Sequence, residues 1–160
     1  MTLTAAGWIA FLMLTSLGAA CAGESTQTEI PDADTRRFAA EVYPILLANC
    51  GYPTCHGDPQ RPLSVYGPGR TRLDPELDAQ APATAEELAV SYNRARSMLI
   101  DPEGPRRAPL LRKPLAVHAG GAAHKGDDPW SQPVFASKRD PRYEALFFWA
   151  IGRGSEEPAP

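Results

Sequence analysis

Residues 46–59 read LLANCGYPTCHGDP, and their interpretation decides the fold. Two of the chain's three cysteines, Cys50 and Cys55, stand here with four residues between them, and His56 follows the second directly. The run leading in, TRRFAAEVYPILLAN (residues 35–49), carries Phe38, Val42, Ile45 and Leu46 at helical spacing, with Asp34 placed to cap it. Pro44 has no amide hydrogen, so this helix should kink or restart near Tyr43. After His56 the chain turns into GDPQRPLSVYGPGRTRLDP (57–75), a loop by its prolines and glycines.

Three chemistries suit such a cluster. Covalent haem attachment needs two thiols and a histidine directly after the second, as in C-x-x-C-H; the order Cys55-His56-Gly57 is intact and the spacing to Cys50 is wider. Gly51 and Pro53 suit the turn that a four-residue gap would require. A Cys50–Cys55 disulfide is the second reading, because closing a short loop constrains the unfolded chain. A metal clip is the third, although only His118 and His124 remain to complete it and there is no second cysteine pair.

Downstream, Thr84 and Glu87 have the spacing of a capping box ahead of AEELAVSYNRARSMLI (85–100), where Leu88, Tyr92, Ala95, Met98 and Leu99 form one apolar face. Residues 101–135 are irregular, with a short apolar centre at Leu110 and Leu111; a connection this long usually has a task. The last segment, DPRYEALFFWAIGRG (140–154), has Asp140 as cap and Pro141 at the first helical position, with Tyr143, Leu146, Phe147 and Ala150 on one face. No strand alternation stands out. The expected fold is therefore mainly α, about three helices joined by long Pro/Gly-rich loops.

Composition narrows the function. A formal charge of -3 over 160 residues implies no basic face, which argues against nucleic acid as a partner. Seventeen prolines and thirteen glycines leave little regular structure to bury, so a cofactor or a crosslink would help the fold. No Ser–His–Asp or paired-carboxylate arrangement is visible, so nothing supports an enzyme. Residues 1–20 have an apolar run and small residues ahead of Cys21, and LGAAC resembles a bacterial lipobox, implying lipidation at Cys21. Residues 21–34 then read as a flexible tether, 35–154 as the folded domain and 155–160 as a disordered tail. Export would place the domain in an oxidising compartment.

The stretch FAAEVYPILLANCGYPTCHGDPQ, with PLLRKPLAVHAGGAAHKGDD and DPRYEALFFWAIGRG further on, resembles the cytochrome c-like domains of envelope lipoproteins in myxobacteria and planctomycetes. The resemblance spans most of residues 36–154. It implies a small cytochrome c-like fold carrying one covalent haem c, with Cys50 and Cys55 as thioether residues and His56 as proximal iron ligand. It favours His124, after the Gly120-Gly121 pair, as distal ligand, with His118 or Met98 as alternatives. The implied role is electron transfer with a redox partner protein; the lipid anchor read at Cys21 would face the periplasm, and Ala22 after it gives no sign of inner-membrane retention, which favours the outer membrane. The reading from another class is a redox-inert envelope lipoprotein with a Cys50–Cys55 disulfide, acting as a binding or structural module. Arg106, Arg107 and Arg112 are open to two readings, contacts to haem propionates or a solvated basic patch. Trp130, Phe135, Tyr143, Phe147 and Trp149 read as core or as pocket walls.

Overall fold

The structure, a computed structural model, describes residues 30–124 and 132–152. The expected leader with Cys21, the tether up to residue 29, Trp130 and the tail from 155 lie outside the described residues. Helices α1 (Thr35–Arg37), α2 (Tyr43–Asn49), α3 (Ala85–Ser97), α4 (Pro109–Arg112) and α5 (Pro141–Ala150) account for the α-helix among them. The only pairing of extended chain described is an isolated parallel bridge between Leu115 and Phe135. The mainly α expectation stands at that level.

Local chemistry sets each boundary. Asp34 Oδ1 accepts from the amides of Arg36 and Arg37 and starts α1. The chain then widens into a π-helical segment, Phe38–Val42, in which the amide of Tyr43 donates to Phe38 O. The α-helix restarts at Tyr43 with Pro44 in its first turn, where a missing donor costs least. The break expected from Pro44 is thus taken up as a π segment. Thr84 and Glu87 form the full capping box of α3. That helix ends at Ser97, earlier than its apolar pattern suggests, and Met98 serves as its C-cap. Asp140 caps α5, and Gly152 follows its end at φ +68°, a left-handed conformation.

The core sits where the first and last helices meet. Phe38, Tyr92 and Trp149 cluster, with ring centroids 5.3 Å (Phe38–Trp149) and 5.4 Å (Phe38–Tyr92) apart. Val42, Leu46, Leu99, Leu111, Phe135 and Leu146 close around them. Each fully buried side chain of this size contributes roughly 1.5–3 kcal/mol. The polar ends of the aromatics reach backbone: Trp149 Nε1 donates to Asp34 O at 2.9 Å and the Tyr92 hydroxyl to Ala33 O at 2.6 Å. Among the described residues these bonds extend the packed structure back to Ala33, two residues before the expected start.

The long loop after His56 is ordered by the burial of Leu63, Val65 and Tyr66 and by one buried ion pair. Arg72 meets the carboxylate of Glu87 with both prongs of its guanidinium, at 2.8 and 2.9 Å. The same guanidinium donates to the carbonyls of Asp78, Ala81 and Pro82. Glu87 also accepts from the amides of Leu73 and Thr84, at 3.1 and 3.0 Å. The ion pair is buried yet well satisfied, the condition under which such a pair is tolerated.

Candidate functional site

Helix α2 delivers Cys50 as its C-cap, and tight turns carry the chain to His56. The amide of Cys55 donates to Tyr52 O, that of His56 to Cys50 O and that of Gly57 to Tyr52 O, at 2.8, 3.0 and 2.8 Å. A Cβ on Gly57 would lie 2.6 Å from Gly51 O and 2.9 Å from Thr71 Oγ1, so the turn needs glycine there. Arg70 holds the loop from outside. Its Nε and Nη2 donate to the carbonyls of Leu47 and Ala48 at the end of α2, and its guanidinium lies 4.1 Å from the Tyr52 ring centre. Arg142, at the start of α5, donates to Asn49 Oδ1 at 2.8 Å and to both carboxylate oxygens of Asp140. Two helices are thereby tied together beside Cys50.

His56 is half-buried and oriented. Its Nδ1 lies 3.0 Å from Leu63 O. A carbonyl only accepts, so Nδ1 carries the hydrogen, and in the neutral ring the free lone pair is on Nε2. Burial holds the His56 pKa below its ordinary value; the Leu63 bond opposes this, while the nearby His124 and Arg61 add to it. The ring is therefore neutral at pH 7 and able to ligate. A backbone carbonyl on the opposite ring nitrogen is the usual support of a metal-binding histidine.

His124 lies against His56, with ring centroids 5.9 Å apart and planes 11° apart. That exceeds van der Waals stacking, at about 3.5–4 Å. The two rings bring a pair of imidazole nitrogen donors into one place. The Gly120-Gly121 turn helps to place this loop. Gly120 is left-handed at φ +94°, and a Cβ on Gly121 would fall 1.8 Å from Leu115 O. The close approach there is to the chain's own backbone. A small pocket of about 170 Å³ beside His124 is lined by Leu115, Ala116, Pro133 and Val134, among others.

The other candidates separate. His118 is exposed on the 3-10 turn Val117–Ala119. Met98 packs against the core at the end of α3. Cys50 and Cys55 are free thiols. Cys55 is half-exposed, whereas Cys50 is buried in the core, and that burial, with Cys55 nearby, pushes its thiol up to about 12. Among the described residues no three or more His, Cys, Asp or Glu side chains are grouped to hold a bare metal ion. The donors brought together are two imidazoles. Were a haem bound, His56 and His124 would be the residues to hold its iron, with Cys55 next to the first. Sequence reasoning missed Leu63, Arg70 and Arg142, whose partners lie 7 to 93 residues away and leave no short-range signal.

Compared with known proteins, the chain matches no family model, no curated protein and no solved structure. Among the described residues no helix is long and apolar enough to cross a membrane.

Proposed function

We propose that this chain is an exported electron carrier that holds one covalent haem c, is tethered by lipid at Cys21 and does not turn over a substrate. The observation that carries the reading is the pairing of His56 and His124, 68 residues apart in sequence and only 5.9 Å apart by ring centroid. When bound, the haem supplies an iron that takes up and releases one electron. The chain's own part is to hold it. Leu63 O fixes the ring of His56 and leaves Nε2 as the free donor that would hold the iron, and the loop turned at Gly120-Gly121 carries His124, which would be the second ligand. Two imidazole ligands favour a lower reduction potential than a histidine–methionine pair. In this reading Cys55 would form a thioether beside His56 and Cys50 a second one. A lipid tether would confine the search for a redox partner to the membrane surface and raise effective concentration.

The test is expression of the full chain in a host with a competent cytochrome c maturation system. The expected product keeps haem through denaturation, shows the added porphyrin mass and has a low-spin spectrum. His56→Ala should abolish that spectrum, His124→Ala should convert it to high spin, and His118→Ala should leave it unchanged. Colourless protein with Cys50 and Cys55 oxidised to each other would overturn the reading in favour of a redox-inert envelope module.

A further inference from the structure

A second concavity has no histidine in its lining. Between the 3-10 turn Pro105–Arg107, α4 and α5 there is a cleft of about 560 Å³, within the size range of small-molecule sites. It shares only Leu115 with the lining of the pocket beside His124. Arg106, Arg107, Arg112 and Lys138 line it, against one carboxylate, Glu144. Arg107 is paired with Glu103 at 2.7 Å. Arg106, Arg112 and Lys138 have no carboxylate partner among the described residues. The cleft therefore carries an excess of two positive charges once Glu144 is set against those three.

The cationic side of the cleft is held against an apolar one. The Arg106 guanidinium sits 5.0 Å from the Phe147 ring centre, a contact that fixes a donor fork without neutralising it. Phe147 packs edge-on to Phe148 at 5.7 Å and near-parallel to Tyr143 at 6.3 Å, so the aromatic wall is firm. Arg112 is half-buried at the end of α4. Unpaired guanidinium groups beside an aromatic wall in a concave site match a ligand with a flat apolar body and a doubly charged anionic end.

We propose that this cleft binds a small planar organic dianion, such as an aryl phosphate or an aromatic dicarboxylate. The anionic end meets Arg112, Lys138 and the fork of Arg106, and the ring lies against Phe148 and Leu115. The site does not depend on haem, so it stands or falls separately from the electron-carrier reading.

Calorimetric titration of the purified full chain with 1-naphthyl phosphate tests it, with inorganic phosphate and 1-naphthalenemethanol as controls. The aryl phosphate should bind one to one, and each control at least about tenfold more weakly. Arg112→Gln should weaken binding about tenfold or more, and raised salt should weaken it too. Lys138→Gln, at an exposed position where folding is not at risk, should weaken it severalfold. Absence of binding at millimolar aryl phosphate would overturn the proposal. So would equal binding of the neutral alcohol, or an affinity unchanged in both variants.

Discussion

Arg72 and Glu87 stand 15 residues apart in sequence and meet in a two-pronged ion pair at 2.8 and 2.9 Å, with Glu87 fully buried. The pair joins the loop after His56 to the first turn of α3. It is the one place where the irregular half of the chain is anchored by charge inside the protein, since the other ion pairs described lie at or near the surface. Glu87→Ala should destabilise the fold by roughly 3–5 kcal/mol, because it leaves a guanidinium buried without a counter-charge. Chemical denaturation with the midpoint compared to the parent chain measures this.

The same pair sets an acid limit. Burial alone would raise the Glu87 pKa, but the Arg72 contacts and the amides of Thr84 and Leu73 more than offset it and bring it down to about 2. The folded value lies below the ordinary value of 4.5. Its contribution is therefore complete above pH 4.5 and is lost as pH falls towards about 2. Glu87→Gln should flatten the stability profile across that window, which melting temperatures from pH 5 to pH 2.5 would show.

Gly57→Ala should disturb the turn that delivers His56. The new methyl would press on the backbone at Gly51 O and Tyr52 C, at 2.6 and 2.9 Å, contacts that only a shift of backbone relieves. A loss of about 1–3 kcal/mol is expected. In haem-loaded protein the change should also disturb the absorption spectrum, as an otherwise unrelated core substitution of equal cost would not.

Arg70→Ala removes the donors on Leu47 O and Ala48 O and the cover over Tyr52. The expected cost is about 1 kcal/mol. Arg70→Lys should recover little of it, because a single ammonium cannot span both carbonyls and lie flat on the ring. Thermal melts of the two variants side by side decide the matter.

Thiol reactivity should split. In native protein free of haem, an alkylating agent should label the half-exposed Cys55 and spare Cys50, whose thiol is buried and pushed up to about 12. Both should label after unfolding, and peptide mass analysis distinguishes the two. Equal labelling in the native state would contradict the packing around Cys50.

Much of the scaffold was legible because its signals are local. Asp34, the Thr84–Glu87 box and the Asp140-Pro141 start each act within one helical turn, and each stands where its residue type implies. Pro44 announced a break but not its form, since a π segment depends on how Phe38 and Val42 pack. Helix α4, four residues long, carries no periodic pattern to find. At the site, Cys55 and His56 were conspicuous by adjacency, whereas the approach of His124 rests on a loop whose path is set by contacts with Leu115, Ala116 and Arg112. Arg72 looked like any loop arginine, because nothing near it in sequence reveals a partner on α3. The inward turn of Cys50 was equally hidden, being a matter of which side of the α2 terminus meets the core.

The two hydrogen bonds from Trp149 and Tyr92 to the backbone of Asp34 and Ala33 fasten the entrance of the chain to its last helix and to α3. Any mechanical pull exerted through the preceding residues would thus be spread at once over two distant helices, and would reach the Cys50–His56 loop only after that clasp gave way.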